Sequence, residues 1–383
     1  MRLGKFECGL AVMAGLLMTA PALGQGTAPA VLQGPAGITV PRVLPPFQPG
    51  SPPCRRPPLQ RMLGFAQDNE REFMNGVARG LGLAARDRGL AFQVAAAGND
   101  ANRQTEQIRQ FRAAAVGAVV SAPVDAIGLA PALQQLIWSG AFVGSVVPPP
   151  ATEILNAPQY LTGKVLAEAA AAYIREQLGG RARVVLLTHD SLQFLAPRFV
   201  AMRDTLGALP GVTIVADLSP PTVNKAGGES AMRTILLAHP SVDVVLGADT
   251  VVLGALAALR AAGKARPDQF LGGIDGEPEA VSEIRRGGPY KASISLNSPV
   301  FGYALGQHAA DWLDGKHVPQ AMDILPFALS LANLARYETD VADPAAVWRD
   351  PARRDAYLRM YGSICYDTRD QYLNFPWSSE RSG

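Results

Sequence analysis

The chain has 383 residues, of which 48% are hydrophobic and 18% charged, and its formal net charge at pH 7 is +2. This length exceeds one ordinary hydrophobic core and predicts two domains of α/β size with appendages. The small net charge, spread over scattered basic residues, gives no electrostatic reason to expect a nucleic-acid partner.

The first 24 residues have the pattern of a secretory signal peptide. Arg2 and Lys5 form a short basic region, residues 9–17 are apolar, and small residues surround a cleavage position expected near residues 22–24. The apolar run is too short to span a bilayer. The pattern therefore predicts an exported protein.

Residues 25–59 are rich in proline and have no sustained period, which predicts an extended lead-in and not a domain. This lead-in contains Cys54, and Cys365 is the other cysteine that remains after signal cleavage. Two cysteines in an exported chain most simply form one disulfide, which would tie the lead-in to the C-terminal extension. A free, buried pair is the alternative.

The regular part of the chain begins after Arg61 and alternates strands with helices. The strands are expected at 62–66, 92–95, 117–121 and 142–147, and the helices at 70–88, 101–114 and 127–139. Strict alternation predicts βαβ units and a parallel sheet.

A second alternating series follows a break at 147–158. Its strands are expected at 184–188, 212–216, 242–247, 270–274 and 292–296, and its helices at 163–178, 197–209, 229–238 and 250–262. Two series joined by a crossing segment predict two lobes with a cleft between them. Residues 337–383 are expected to form a C-terminal extension with one helix from Pro351 to Tyr361.

Two acidic residues directly follow strands of the second series, Asp249 and Asp275. Ligands of open parallel sheets bind beyond the carboxyl ends of the strands, which makes both residues candidates for ligand contact. The alternative is that each carboxylate caps the helix that follows it.

Four phrases fall at regular places in the pattern. They are GNDANRQ at 98–104, AHPSVD at 238–243, AD followed by LGAL at 248–256, and GIDG at 273–276. Together with the order of elements, they resemble the ribose-type periplasmic sugar-binding proteins, which share a fold with the ligand domains of lactose-repressor-like regulators. The resemblance covers about residues 60–330.

The resemblance implies an α/β fold with two Rossmann-like lobes, parallel sheets and a three-strand hinge. The lobes would comprise residues 60–157 plus 297–325 and residues 158–296 plus 326–336. It also implies that solute is trapped when the hinge closes, without catalysis. The four histidines are too dispersed in the sequence to indicate a metal site, and no cofactor is expected.

The resemblance assigns ligand-binding roles to individual residues of this chain. The resemblance implies that Arg198 donates to ligand hydroxyls or a carboxylate, that Asp275 accepts from paired hydroxyls, and that Asp249 and Asn224 lie beside them. The aromatic pair that the family places at the first helix is replaced by polar residues, which makes Gln67, Asn69 and Glu70 candidates for a more polar or cationic solute. Phe194 is a candidate for the missing ring.

The sequence thus predicts a periplasmic, monomeric solute-binding component of an ABC-type importer, which delivers a small polar ligand, a sugar or sugar derivative, to an inner-membrane permease. A periplasmic sensing module that docks a membrane sensor is the alternative. A hydrolase is weaker, because the adjacent residues His189, Asp190 and Ser191 cannot form a catalytic triad.

Overall fold

The computed structural model describes residues 43–146, 150–190, 195–375 and 377–380. The predicted signal peptide and the start of the lead-in lie outside these ranges, as does the candidate Phe194. Among the helices in the described ranges, none combines the length and apolar character needed to cross a membrane.

The first series of elements forms the N-terminal lobe. In chain order it contains β1 (Gln60–Gln67), α1 (Glu72–Asp87), β2 (Ala91–Ala96), α2 (Ala101–Ala113), β3 (Val116–Ser121), α3 (Ala126–Ser139), β4 (Phe142–Val146) and β5 (Glu153–Asn156).

The second series forms the C-terminal lobe. It contains α4 (Gln159–Gln177), β6 (Ala182–Leu187), α5 (Ala196–Gly207), β7 (Val212–Leu218), α6 (Lys225–Ala238), β8 (Val244–Gly247), α7 (Asp249–Ala261), β9 (Phe270–Asp275), α8 (Pro278–Arg285) and β10 (Tyr290–Ser295).

The rest of the chain returns to both lobes. It contains α9 (Ser298–Leu313), β11 (Ala321–Ile324), β12 (Phe327–Leu329), α10 (Leu334–Ala342), α11 (Pro344–Arg349), α12 (Pro351–Asp355), β13 (Leu358–Tyr361) and a 3₁₀ helix (Tyr366–Gln371).

The strands form one sheet in each lobe. Within the described residues the N-terminal sheet has the order β13-β11-β5-β4-β3-β1-β2 and the C-terminal sheet the order β12-β10-β9-β8-β6-β7. All pairs are parallel except β11 with β13 and β10 with β12. The chain crosses between the lobes after β5, after β10 and after β11, which confirms the predicted two-lobed fold with three hinge segments. The C-terminal extension adds a fourth crossing, because β12 lies in the C-terminal sheet and β13 in the N-terminal sheet.

The hydrophobic pattern explains why these elements form. β3 is the run VGAVVS between two neighbouring strands, and it is buried at every position, as expected for a central parallel strand covered on both faces. The small residues in α1 serve close helix packing, because a Cβ at Gly80 would lie 2.2 Å from the carbonyl oxygen of Pro299.

The C-terminal extension differs from the prediction. The helix expected from Pro351 to Tyr361 ends at Asp355, and Leu358–Tyr361 is instead β13, which pairs with β11 at the edge of the N-terminal sheet. In this strand Leu358 is buried and its neighbour Arg359 is exposed. That alternation suits a sheet edge and not a helix.

Parts of the lead-in and of the C-terminal extension meet beside β13. Gly362 N donates to the carbonyl of Pro45 at 2.7 Å, and Phe47 N donates to that of Met360 at 2.9 Å. Cys54 and Cys365 form a disulfide with their Cα atoms 6.3 Å apart. We call the segments 43–54 and 358–365, with this disulfide, the staple.

Candidate functional site

The carboxyl ends of the parallel strands in the two lobes carry the candidate ligand residues. Asp275 ends β9 in the C-terminal lobe, and Arg71 follows β1 in the N-terminal lobe. The positive charge of Arg71 lowers the pKa of Asp275, which means that the two strand edges approach each other across the cleft.

Asp275 has an unusual backbone. Its φ is +122°, in a region that residues other than glycine rarely adopt. Its side chain is open to solvent, yet protein atoms surround the carboxylate closely enough for desolvation to raise its pKa, against the lowering effects of Arg198 and Arg71. Backbone strain that persists at a cleft residue is typical of binding sites.

Asp249 holds this strained turn in place. Its carboxylate accepts hydrogen bonds from Tyr290 Oη at 2.7 Å, Ser293 Oγ at 2.7 Å and Glu277 N at 2.8 Å. Ser293 Oγ in turn accepts from Gly276 N at 3.0 Å. The two backbone amides that follow Asp275 are therefore fixed by one buried network.

Asp249 does not take the place that the sequence predicted for it. Its side chain is 0% exposed and its oxygens are used by internal donors, so it positions the Asp275 turn and is not at the cleft surface. Nor do Asp249 and Asp275 cap the helices that follow them, because the N-cap residues of α7 and α8 are Ala248 and Glu277.

Tight packing of α4 against α5 places Arg198 at the cleft edge of the C-terminal lobe. A Cβ at Gly163 would lie 1.9 Å from the carbonyl oxygen of Arg198, so only glycine permits this approach. Arg198 is 9% exposed and its Nε donates to Gln159 Oε1. Burial lowers the pKa of its guanidinium, and the charge of Asp275 raises it.

At the cleft edge of the N-terminal lobe, side-chain amides form a hydrogen-bond network. Gln67 is buried and donates from Nε2 to the carbonyl of Asn69 at 2.6 Å. Asn69 is also buried, and its Oδ1 accepts from Arg71 Nε at 2.9 Å while its Nδ2 donates to Asp68 Oδ2 at 2.7 Å. Both side chains orient their neighbours and present little surface to a ligand.

Arg71 and Asp68 are the charged groups that this network supports. They line a cavity of about 390 Å³ together with Asn69, Asn99, Pro123 and Val124. Asn99 has a φ of +62°, and its backbone N donates to the carbonyl of Asp68 at 2.7 Å. Burial raises the pKa of Asp68, while the Asn69 amide and Arg71 lower it.

Acidic groups outnumber cations at the cleft edge of the C-terminal lobe. Burial, with the charges of Asp249 and Asp275, raises the pKa of Glu277 to about 7. Burial and Asp275 raise the pKa of Asp249 to about 6. The charge of Arg198 acts on Asp275. Of these three carboxyl groups, those of Asp275 and Glu277 reach solvent, so this edge attracts a neutral or cationic solute more than an anionic one.

Three buried side-chain atoms at the ends of strands have no hydrogen-bond partner within the described residues. They are Ser121 Oγ at the end of β3, His189 Nδ1 after β6 and Asn297 Nδ2 after β10. Buried polar atoms in folded proteins are nearly always paired with protein or water. These atoms provide further bonding capacity where the cleft-facing strands end.

The remaining sequence candidates are more peripheral. Asn224 is exposed and caps α6, with Oδ1 accepting from Gly227 N at 2.9 Å. Glu70 is exposed, and its carbonyl accepts from Asn75 Nδ2 at 2.8 Å. Sequence reasoning missed Arg71 and Asn99 as site residues, although each lies in the first loop residues after a strand, which was the available signal.

Comparison with known proteins gives a consistent result. Residues 65–317 match the model of the periplasmic binding protein domain. The chain is 26% identical to the ribose import binding protein of Bacillus subtilis (strain 168) over 261 residues, which cover 65% of this chain and 80% of that protein. It is 27% identical to a putative rhizopine-binding protein of Rhizobium meliloti over 266 residues, 65% of this chain and 83% of the relative.

A solved structure agrees with the fold. The chain superimposes on an ABC transporter solute-binding protein from Bacillus halodurans C-125, with bound myo-inositol, at a TM-score of 0.62. The identity is 20%, and the match covers 73% of this chain and 98% of that one. Because the family model matches most of the chain, and the two lobes and hinge agree with it, the chain belongs to the periplasmic binding protein domain family.

Proposed function

We propose that this protein is the solute-binding component of an ABC-type importer and captures a neutral or cationic polyhydroxylated ring, a sugar or a cyclitol, by hinge closure. The mature chain would act in the periplasm after cleavage near residues 22–24 and deliver solute, as a monomer, to an inner-membrane permease. The family membership and the disulfide, which suits an oxidising compartment, support this assignment.

The observation that carries the proposal is the position of Asp275. The charges of Arg198 in its own lobe and of Arg71 in the other lobe both lower the pKa of Asp275. Among the described residues, however, no ion pair within 4.0 Å joins Asp275 to either arginine. Charged groups that are close but unpaired leave room for hydroxyl groups between them. A polyol can donate to the carboxylate and accept from the guanidinium groups at the same time.

The same geometry explains how closure would be driven. A solute bound by Asp275 and Arg198 gains the Arg71 contact when the lobes approach, so it binds the closed state more tightly than the open one. A ligand shifts a conformational equilibrium only by such a difference in affinity. Closure about three crossing segments is a hinge motion, and the permease would recognise the closed form.

The charge of the site narrows the ligand class. The carboxyl groups of Asp275 and Glu277 at the cleft edge of the C-terminal lobe disfavour sugar acids and sugar phosphates, and they favour an amino-substituted ring. The ribose and rhizopine binding assigned to the two relatives, and the myo-inositol bound in the structural neighbour, fit a compact polyhydroxylated solute.

A thermal-shift screen tests the proposal. The panel contains pentoses, hexoses, inositols, their amino derivatives and the corresponding acids. A true ligand at one hundred times its dissociation constant stabilises the protein by about 2.7 kcal/mol. We expect stabilisation by at least one neutral or amino polyol in the wild type.

Two variants control the screen. The stabilisation should be absent in Asp275→Asn and retained in Asp268→Asn, which changes an exposed aspartate of the same lobe that pairs with Arg266. Stabilisation by acids alone, or an equal response in Asp275→Asn, would contradict the proposal.

A further inference from the structure

A second cavity lies at the edge of the N-terminal sheet opposite the cleft. Its volume is about 750 Å³, and its walls come from residues 46–51, residues 348–361 and the C-terminal half of α9 with the residues after it. The cavity runs along β13, and His308 in its lining contacts Glu153, the first residue of β5, so the buried end of the cavity lies at the amino ends of the parallel strands. It is therefore separate from the site formed by the carboxyl ends.

A buried histidine forms part of the cavity lining. His308 is 3% exposed, and its Nδ1 lies 2.9 Å from each carboxylate oxygen of Glu153, which is fully buried. This contact orients the ring and places a proton on Nδ1. Nε2 makes no hydrogen bond to any described residue, so it is available to a molecule in the cavity.

Aromatic side chains of the cavity lining lie beside this histidine. The ring of Trp348 meets the His308 ring edge-on, with centroids 5.4 Å apart, and the Arg354 guanidinium lies 5.5 Å from the Trp348 centroid. Phe47 and Tyr361 also line the space. The cavity thus combines ring surfaces, a buried hydrogen-bonding nitrogen and a cation, which is the usual composition of a small-molecule site.

Positive charge is in excess around the cavity. Lys316 shares Asp311 with Arg88, at 3.0 Å and 2.7 Å respectively. Arg354 pairs with the adjacent Asp355 at 3.0 Å. Arg359 also lines the cavity and makes no ion pair within the part of the chain that the structure describes.

The staple fixes the walls. The Cys54–Cys365 disulfide and the hydrogen bonds between the lead-in and β13 hold both chain ends against the lobe. Both of these walls lie outside residues 65–317, the span that the family model matches. The cavity is thus built mainly from the parts of the chain that the periplasmic binding protein domain does not account for.

We propose that this cavity is a second ligand site and binds a small organic anion with an aromatic or other apolar body. The ring of the ligand would pack against Trp348 and Phe47. Its carboxylate would face Arg354 and Arg359, with His308 Nε2 hydrogen-bonding to a polar group at the buried end. This site does not depend on the function proposed for the cleft.

Calorimetric titration tests whether the site binds an aromatic ring and whether it requires a negative charge on the ligand. The two ligands are 2-naphthoate and its neutral analogue 2-naphthalenemethanol. We expect saturable binding of naphthoate to the wild-type protein and at least about tenfold weaker binding of the alcohol, because a lost charge-assisted hydrogen bond costs this much or more. Protein labelled with ¹⁵N-histidine should show a shift of the His308 ring signals on saturation, assigned with a His308→Gln variant.

The variants locate the site. Arg354→Gln with Arg359→Gln should weaken naphthoate binding at least about tenfold. The matched pair Arg109→Gln with Arg233→Gln changes two exposed helical arginines elsewhere and should leave it unchanged, as should Asp275→Asn in the cleft. Absent saturation in the wild type, equal affinity for the alcohol, or full affinity in the Arg354 and Arg359 variant would each overturn the proposal.

Discussion

The two edges of the N-terminal sheet are held in opposite ways. At the carboxyl edge, hydrogen-bonded amides orient Arg71 towards the other lobe, and nothing covalent fixes the approach of the two lobes. At the amino edge, the disulfide and the antiparallel strand β13 attach the lead-in and the C-terminal extension to the lobe. The first arrangement permits motion about a hinge, whereas the second resists it.

This difference separates stability from binding. At the cleft, Asp275 forms no ion pair with Arg198 or Arg71 among the described residues, although the charges of both act on it, so its carboxylate contributes little to folding and is available to a solute. At the amino edge, the disulfide and the pairing of β13 with β11 stabilise the lobe and leave the cleft unaffected. Variants of the two edges should therefore change different measurements.

Removal of the disulfide should have the largest effect. The Cys54→Ser with Cys365→Ser variant should lose about 2–5 kcal/mol of unfolding free energy, because the bond joins residues separated by 311 positions and restricts the unfolded chain. Denaturant unfolding measures this loss. Affinity for the cleft ligand should remain, and a large drop in affinity would show that the two edges are coupled.

The bond itself can be checked on the exported protein. Non-reduced mass spectrometry should give a mass lower by two hydrogen atoms than the reduced form. Alkylation of two free thiols in the denatured, non-reduced protein would contradict the disulfide.

Substitution of Asp275 should have the next largest effect, and on binding alone. Asp275→Asn should lower affinity for the cleft ligand about 10- to 150-fold, since a hydrogen bond to a charged group contributes about 1.5–3 kcal/mol. Asp275→Gly should lose binding equally but unfold at the same or a higher temperature, because glycine adopts a φ of +122° without strain. A marked loss of stability in the glycine variant would mean that Asp275 has a structural role.

Asp249 should contribute to the pH dependence of stability, together with Glu277, and not to ligand contact. Its pKa in the folded protein, about 6, exceeds the usual value, so the folded state favours the protonated carboxyl. The stability from this group is present below about pH 4 and is lost as pH rises through 6, a change of roughly 3 kcal/mol.

The Asp249→Asn variant checks this sign. Unfolding free energies at about pH 4.5 and about pH 7.5 should differ less in the variant than in the wild type, with Asp268→Asn as the control. An unchanged difference would show that Asp249 does not titrate in this range.

The smallest effect is expected at Arg71. Arg71→Gln should lower affinity for the cleft ligand by about threefold to tenfold, because its exposed guanidinium makes a weaker contact than a buried one. Arg198→Gln, which changes a buried guanidinium, should cost more. Calorimetry compares the two, and a larger loss in Arg71→Gln would place the main contact in the N-terminal lobe.

The sequence predicted the lobes well because strand and helix periods report burial directly. The resemblance also implied that Arg198 and Asp275 lie together, and in the structure the charge of Arg198 acts on Asp275. It could not show that Asp249 and Gln67 are used internally, because a polar residue after a strand looks the same whether its partner is a ligand or a distant serine. That distinction depends on contacts such as Asp249 with Tyr290.

The chain ends were less predictable for a similar reason. Leu358–Tyr361 pairs with a strand more than thirty residues away, at Ala321–Ile324. A helix prediction from local pattern cannot anticipate such a partner. The second cavity depends on this pairing and on the disulfide, so no local sequence pattern indicated it.

Small-angle scattering tests the central claim most directly. The wild type and Asp275→Asn are measured without ligand and with the most strongly stabilising polyol of the panel at saturation. We expect the radius of gyration to fall in the wild type on adding this polyol, because the lobes close, and to stay constant in Asp275→Asn. An unchanged radius in the wild type, or an equal fall in both proteins, would contradict capture by hinge closure through Asp275.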